Sequence, residues 1–521
     1  MPRTSFIRQK PRAAALCVLM SLGLALAGCA DNALKRAPKS PSEPWRPSED
    51  TRPALLPLEE TSAHPGTPPH RDYTVPANPE ASVLTPPPQL VAGASYDLPA
   101  LIDIAARNNP QTRIAWEQAR QAALAVGMAE ATYLPTLTAT VIGGVQRVRT
   151  PLPDNITGMD AFTTTVNGVV PALLVEWLLF DFGGRKAGVE AAEHTSFAAN
   201  IAFTGAHQRV IYEVTIAYYR YGAAQARERA AEKALTNSRL IQDAAERRND
   251  QGLGTTVQVA QARQQVAQSN LRLVEARGAR RDAYQALLAA MGVSPMTEIM
   301  VDDVADRSLP ETIAEPTEAM IATALSQRPD VLAAYSRLKT SEASIRAAEA
   351  AFRPKIYLGG MAAADNASFS VSGLPGVGQQ ATSSGVLVGM AVPIFTGGLT
   401  RARVAEAKSL SESADQVFRQ TQDAAAREIV MASDTLRTAI AAHTAANDLS
   451  EAAAITYDAA LTAYRSGVGT ITDATAADSA LLDAWQAEAD AHAAALVAAS
   501  TFAFSLGKMT SNEAPARALG R

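Results

Sequence analysis

Two arrangements in this 521-residue chain have the residue types and spacing of known chemistry. Asp181-Phe182-Gly183 copies the triplet with which protein kinases hold magnesium, and Ser336-Arg337-Leu338-Lys339 has the Ser-x-x-Lys spacing of penicillin-recognising enzymes. Neither brings its partners. The first lacks a catalytic-loop motif and a glycine-rich loop, and the second lacks both companion motifs. Six scattered histidines show no ligand spacing. The residues therefore predict no enzyme, no metal and no organic cofactor, and Asp181-Phe182-Gly183 is better placed at a strand-to-helix corner.

The thiols carry the remaining chemistry. Arg3, Arg8, Lys10 and Arg12 form a basic head, and Ala13 to Ala25 form an apolar run too short to span a bilayer. This is the pattern of a signal peptide over residues 1–28. It ends in Leu26-Ala27-Gly28-Cys29, which resembles the lipobox of bacterial lipoproteins. That resemblance implies a covalent lipid on Cys29, which becomes the mature N-terminus, and Ala30 in place of an aspartate implies delivery to the outer membrane. Cys17 leaves with the signal, so no disulfide is available to the mature chain.

The elements that must position any site are written twice. Leu134-Pro135-Thr136 and Phe182-Gly183-Gly184 correspond to Arg353-Pro354-Lys355 and Thr396-Gly397-Gly398. Asn109-Pro110 matches Arg328-Pro329, Gly252-Leu253-Gly254-Thr255 matches Gly467-Val468-Gly469-Thr470, and Met291-Gly292 matches Leu506-Gly507. The matched positions lie roughly 214 to 219 residues apart, far beyond a solenoid period, so one large unit is used twice. The resulting division is a proline-rich tether over 29–97, a first repeat over 98–292, a linker over 293–316, a second repeat over 317–507 and a tail over 508–521. Composition leaves a disordered tether and an extended polyproline-like strap equally open.

Within each repeat the periodicities are distinct. A helix is expected from Leu98 to Tyr133, where Leu134-Pro135 stops it. Thr136, Thr138 and Thr140 then alternate with Leu137, Ala139 and Val141, which reads as strand. After a turn-rich stretch at Pro151–Asn155, a second strand from about Thr163 to Phe180 puts Leu173, Val175, Trp177 and Leu179 on one face. The second copy predicts strands from Lys355 to about Val371 and from Ser384 to Phe395, with a Gly/Pro loop near Gly373–Gly378. Alternating strands of about ten residues suit a transmembrane barrel. Four strands cannot close one, since about eight is the practical minimum, so the barrel reading demands an oligomer.

The run from Arg185 to Asp250 is far longer than a globular-core helix, about 100 Å at 1.5 Å per residue. Val210, Val214, Ala217, Tyr221 and Ala224 follow 4-3-4-3 spacing along it, the seam of a coiled coil. Leu98–Leu134 and Thr255–Met291, and in the second copy Thr317–Phe352 and Thr470–Leu506, are short helices that stack in pairs to match the long ones. The chain reverses at Gly252/Gly254 and Gly467/Gly469, making two hairpin tips.

The duplicated unit, the Phe180-Asp181-Phe182-Gly183-Gly184 and Ile394-Phe395-Thr396-Gly397-Gly398 corners, and the tip Tyr464-Arg465-Ser466-Gly467-Val468-Gly469-Thr470 resemble the TolC family of outer-membrane efflux proteins. The lipobox places the chain nearer the lipoprotein branch that serves resistance-nodulation-division pumps. The resemblance implies a mainly α fold with membrane β: a periplasmic α-barrel of coiled-coil hairpins, and four strands per chain in a twelve-stranded barrel of a homotrimer. It implies a duct that passes small molecules from an inner-membrane transporter, through a periplasmic adaptor protein, across the outer-membrane lipid. In the family, aspartates just after the tip ring the closed aperture. Asp473 falls on one such position, Ala476 stands at the second, and Gln258 is the equivalent in the first copy. Asp473 equally suits a helix N-terminus, where the dipole favours a negative charge. Tyr464 matches a tyrosine that holds the family's aperture shut, and equally suits hairpin packing. Gly252, Leu253, Gly254, Thr255, Gly467, Val468, Gly469 and Thr470 are the expected adaptor contacts.

Two other readings stand beside this one. The first is a duct for protein secretion of type I, and the second a lipid-anchored coiled-coil scaffold that conducts nothing, which has no need of the paired strands. A net charge of −5 gives no electrostatic case for nucleic acid.

Overall fold

The computed structural model describes residues 79–83, 94–151, 161–303, 309, 315–371 and 377–509. The signal, Cys29, most of the tether and most of the C-terminal tail lie outside them. The chain divides into two units, Met1–Pro86 and Pro87–Arg521. The first contributes one 3-10 turn, Pro79–Ser82. The second contains everything that follows.

Its elements run β1 (Ser95–Tyr96), α1 (Leu98–Asn108), α2 (Pro110–Ala131), β2 (Thr136–Pro151), β3 (Ala161–Phe180), α3 (Gly184–Asp250) and α4 (Thr256–Met291). They continue with β4 (Met300–Val301), α5 (Glu318–Leu325), α6 (Pro329–Ala350), β5 (Lys355–Val371), β6 (Val377–Ala391), α7 (Leu399–Ser466) and α8 (Ile471–Ser505). The short β1 and β4 pair in parallel, bringing the start of the first half to the segment after α4.

Two expected helices are in fact four. The run from Leu98 breaks at Asn109, whose extended backbone (φ −68°, ψ 124°) precedes a proline at the first position of α2. The run from Thr317 breaks in the same way at Arg328, before Pro329. A proline disfavours the helical region for the residue before it. The break is where the short helices are joined. The Asn109 side chain accepts from the Gln111 amide at 2.8 Å and donates to the Ala290 carbonyl in the last turn of α4 at 2.9 Å. In the second copy the Arg328 guanidinium donates to the Ser505 carbonyl at the end of α8, 2.9 Å away, and holds Asp330 and Glu428 at 2.8 and 2.6 Å. Burial works against the Arg328 charge, but its bonds to Asp330 and Glu428 outweigh this and hold its pKa above the ordinary value.

The long helices have 67 and 68 residues, roughly 100 Å each. Helix α3 packs against α2, α4, α6 and α8, and α7 packs against α6 and α8. Each joined pair of short helices thus lies alongside a long one. The seam of α3 is buried as its spacing predicts, with Val210, Val214 and Tyr221 at 5% exposure or less. Around the first joint Leu98, Leu101, Tyr218, Leu287 and Met291 share a core. Ile429, Leu436 and Phe502 share the one at the second joint. Each such large side chain contributes about 1.5–3 kcal/mol on burial. Alanine fills much of the rest, which suits helix formation and close approach.

The four long strands form one antiparallel sheet in the order β2-β3-β5-β6. Registers run from Thr136↔Glu176 to Pro151↔Ala161, from Thr164↔Val371 to Phe180↔Ile356, and from Lys355↔Ala391 to Phe369↔Val377. The middle pairing joins the two halves of the chain. At 16, 20, 17 and 15 residues the strands exceed the ten or so that suit a barrel span, and β5 has the expected bounds. The last strand also lies earlier than expected, ending at Ala391 because Pro393 has no amide to donate. Gly378 therefore pairs with Ser368 inside β6 instead of belonging to a loop.

Removing the joints tests this arrangement. Asn109→Ala loses a helix cap and leaves the Ala290 carbonyl bare, for an expected loss of about 2 kcal/mol. Asn109→Asp keeps the cap acceptor but not the donor, and lands between that variant and the parent. Arg328→Met strands Glu428 as well as Ser505 and lowers the thermal midpoint at least as far as Asn109→Ala. Thermal unfolding of the three variants in detergent reads the order directly; equal midpoints throughout would remove the joints from the account.

Candidate functional site at the hairpin tips

The two motifs of enzyme type are structural. The buried Asp181 carboxylate accepts from the Arg185 backbone amide at 2.7 Å, in the first turn of α3. Phe182 is the one non-glycine residue with positive φ among those described, at 52°. Arg185 donates to the Thr132 and Leu179 carbonyls, both at 3.1 Å, and sits 4.8 Å over the Tyr133 ring. Trp177 Nε1 donates to the Tyr133 carbonyl at 2.7 Å. The corner locks the end of α2 to the end of β3 and the start of α3. Ser336 is buried and donates to Leu332, while Lys339 pairs with Glu342, so the Ser-x-x-Lys spacing brings no nucleophile and base together.

The tips are built from opposite demands on backbone and side chain. Gly467 ends α7 at φ 82°, a left-handed conformation that costs other residues dearly. At Gly469 the constraint is space, because a Cβ there would meet the Ala463 Cβ at 3.0 Å and its carbonyl carbon at 3.1 Å. Thr470 and Asp473 then close a capping box. Thr470 Oγ1 accepts from the Asp473 amide at 3.2 Å, and the Asp473 carboxylate accepts from the Thr470 amide at 3.2 Å and hydroxyl at 2.7 Å. Those hydrogen bonds hold its pKa below the ordinary carboxylate value. Thr255 and Gln258 form the same box at the first tip. The carboxylate of Asp473 is thus engaged at a helix start, one of the two roles its position in the sequence allowed.

Tyr464 lies at 0% exposure, inside a core with Ile241, Tyr457, Leu461, Ile471 and Leu481. Its hydroxyl has no hydrogen-bond partner, and burial raises its pKa. The contact between tips belongs instead to a residue that the sequence reading missed. Arg248, in the last turn of α3, donates to the Tyr464 carbonyl at 3.2 Å and to the Leu253 carbonyl at 3.4 Å. Its guanidinium lies 5.4 Å over the Tyr464 ring and fills the space beside Gly467. One cation thereby satisfies carbonyls from both hairpins. Leu253 and Val468 at the two turns, with Val257, remain 64–84% exposed.

A second missed residue lies two turns into α8. Asp478 is 1% exposed, at a position where the heptad Ile471, Ala474, Asp478, Leu481 calls for an apolar side chain. That interruption was visible in the sequence. Arg248 had only the weaker signal of a base in a last helical turn.

Among the described residues no group of three or more His, Cys, Asp or Glu is placed to hold a metal ion, and no helix is long and apolar enough to cross a membrane.

The family model described as outer membrane efflux protein matches residues 101–293 and 320–508, one match in each half of the chain. The chain is 28% identical to protein CyaE of Bordetella pertussis over 378 residues, covering 71% of this chain and 75% of that one. It is 27% identical to outer membrane protein OprJ of Pseudomonas aeruginosa over 344 residues, covering 66% and 70%. The fold matches the solved outer-membrane channel OprN with a TM-score of 0.67, at 22% identity over 79% of this chain and 90% of that one. The two-fold match and the shared architecture together show that this chain belongs to the outer membrane efflux protein family and is an outer-membrane channel for efflux.

Proposed function

We propose that three copies of the chain close their sheets edge to edge into a twelve-stranded barrel. The observation that carries this is the pair of free edges. Strands β2 and β6 lie at opposite sides of the four-stranded sheet, 16 and 15 residues long, each with one side unpaired. Long unpaired edges invite further strands, and a barrel removes them. Leu137, Val141, Val145, Val386, Val388 and Met390 are 68–71% exposed on the outer pair of strands, which suits a lipid-facing band. Water does not suit them.

In that assembly the helices form a tube through the periplasm, and the tips form its inner entrance. Arg248 fastens the two hairpins of each chain, Asp473 lies near the aperture, and Tyr464 holds the tip core. Exposed Leu253 and Val468, with Gly252, Gly254, Thr255, Gly467, Gly469 and Thr470, offer the surface for a periplasmic adaptor. The duct performs no chemistry. It passes small molecules supplied by an inner-membrane transporter, a reading supported by its similarity to the antibiotic efflux pump outer membrane protein ArpC of Pseudomonas putida. A lipid on Cys29 adds an anchor to the barrel.

Single-channel recording in a planar bilayer tests the duct. Purified trimer gives discrete current steps, Arg248→Ala raises the time spent open by releasing the tip carbonyls, and Asp473→Ala shifts conductance if its carboxylate lines the constriction. An Asp473→Ala channel with parental conductance confines that residue to its cap; a trimer without current in every variant removes the duct. Separately, Cys29→Ser abolishes incorporation of labelled palmitate while leaving the protein in the outer-membrane fraction. Recovery of that variant as a soluble periplasmic protein would transfer membrane attachment from the barrel to the lipid.

A further inference from the structure

The tip core contains a carboxylate that nothing in the duct requires. Asp478 of α8 is enclosed at the junction where α3, α4, α7 and α8 meet, among Ala477, Leu481 and Tyr457. Its Oδ2 accepts from Gln265 Nε2 of α4 at 3.2 Å, and the same amide also reaches Ser479 Oγ at 3.1 Å. Its Oδ1 is buried with no partner within hydrogen-bond distance, and the Asn237 amide of α3 supplies only a further pull on the carboxyl. The Tyr457 hydroxyl of α7, whose pKa is pushed up to about 12 by burial and then by the Asp478 charge, is likewise buried and unpartnered.

A buried carboxylate with a bare oxygen is costly as an anion, and much less so as a neutral acid. The groups around it do not supply a compensating charge. Helix α3 presents the Asn237 amide, α4 presents the Gln265 amide and, farther off, Arg272, and α7 presents Tyr457. Arg272 is committed to Asp483 at 3.3 Å. Around Tyr457, Asp458 and Arg465 act in opposite directions. No cation contacts the carboxylate itself.

We infer that Asp478 is a proton-binding latch: with its proton on, the four helices pack as seen and the entrance is held shut, and losing the proton to water loosens the junction and favours the open tip. This rests on the tips being the entrance of a channel. Burial pushes the Asp478 carboxyl up to about 6, against the pull of Gln265, Asn237 and Arg272. The sign follows. In an opened junction the group returns to an ordinary carboxylate near 3.8. The packed state therefore keeps its full advantage below about pH 4 and loses it as the pH rises to about 6, by roughly a hundredfold in the ratio of packed to open. Asp473 lies outside this effect, since its solvent-exposed carboxylate has a lowered pKa and remains charged throughout.

The test is channel opening in planar bilayers from about pH 4.5 to pH 7.5, with the full trimer of the parent, Asp478→Asn and Tyr457→Phe. The parent opens more readily as the pH rises through this range, Asp478→Asn is flat and stays at the acid level, and Tyr457→Phe keeps the rise. A flat parent, or a rise preserved in Asp478→Asn, overturns the latch. Should Asp478→Asn fail to assemble, Asp478→Ser gives the same comparison. Infrared spectra separate this proposal from the channel reading. A protonated-carboxyl band that fades between about pH 5 and pH 7 in the parent, and is missing from Asp478→Asn, supports proton binding even in a sample that passes no current. The same band in both proteins overturns it.

Discussion

Each half of this protein depends on one joint, where the residue before a proline reaches across to the last turn of a returning helix. Helix ends leave carbonyls without partners, and a buried end must find donors for them. Asn109 supplies one to Ala290, and Arg328 supplies one to Ser505. With those carbonyls satisfied, two short helices abut end to end and run beside a single long one. The same solution appears with two different donors. What is held constant between the copies is therefore the bond, and the residue that makes it is free to vary.

The two ends of the helical layer meet different demands. At the strand end the backbone must turn from β3 into α3 within three residues, and Arg185 binds carbonyls from Thr132 and Leu179 while stacking on Tyr133. A rigid corner of this kind fixes the direction of the long helix relative to the sheet. At the other end the turns are made by glycines, the two hairpins share an apolar core, and the guanidinium of Arg248 ties one backbone carbonyl from each.

Apolar packing and buried charge compete within the tip. Tyr464, Leu461 and Ile471 favour the packed hairpins, while burial of Asp478 between the same helices disfavours its charged form. A leucine at that position would pack better and hold the tip more firmly. The sheet resolves its own conflict differently, since its long edges and exposed apolar side chains are stable only when other strands and an apolar solvent cover them.

Periodicity made much of this architecture readable before any coordinates. The alternation of Thr136 to Val141, the 4-3-4-3 seam of Val210 to Ala224 and the paired glycines at Gly252/Gly254 and Gly467/Gly469 each reflect local geometry, which neighbouring residues impose on one another. The duplication was legible for the same reason. What the sequence did not reveal depends on residues far apart in the chain. Asn109 looked like a helix residue until Ala290 stood opposite, and Tyr464, which suited an aperture or hairpin packing equally, gains its enclosure from Ile241 and Leu481. Asp473 and Asp478, five positions apart on one helix, illustrate the division best. Local capping engages the first, whose carboxylate accepts from the Thr470 amide and hydroxyl. Only the convergence of α3, α4 and α7 buries the second, because burial is a property of the packed surroundings and not of the residue.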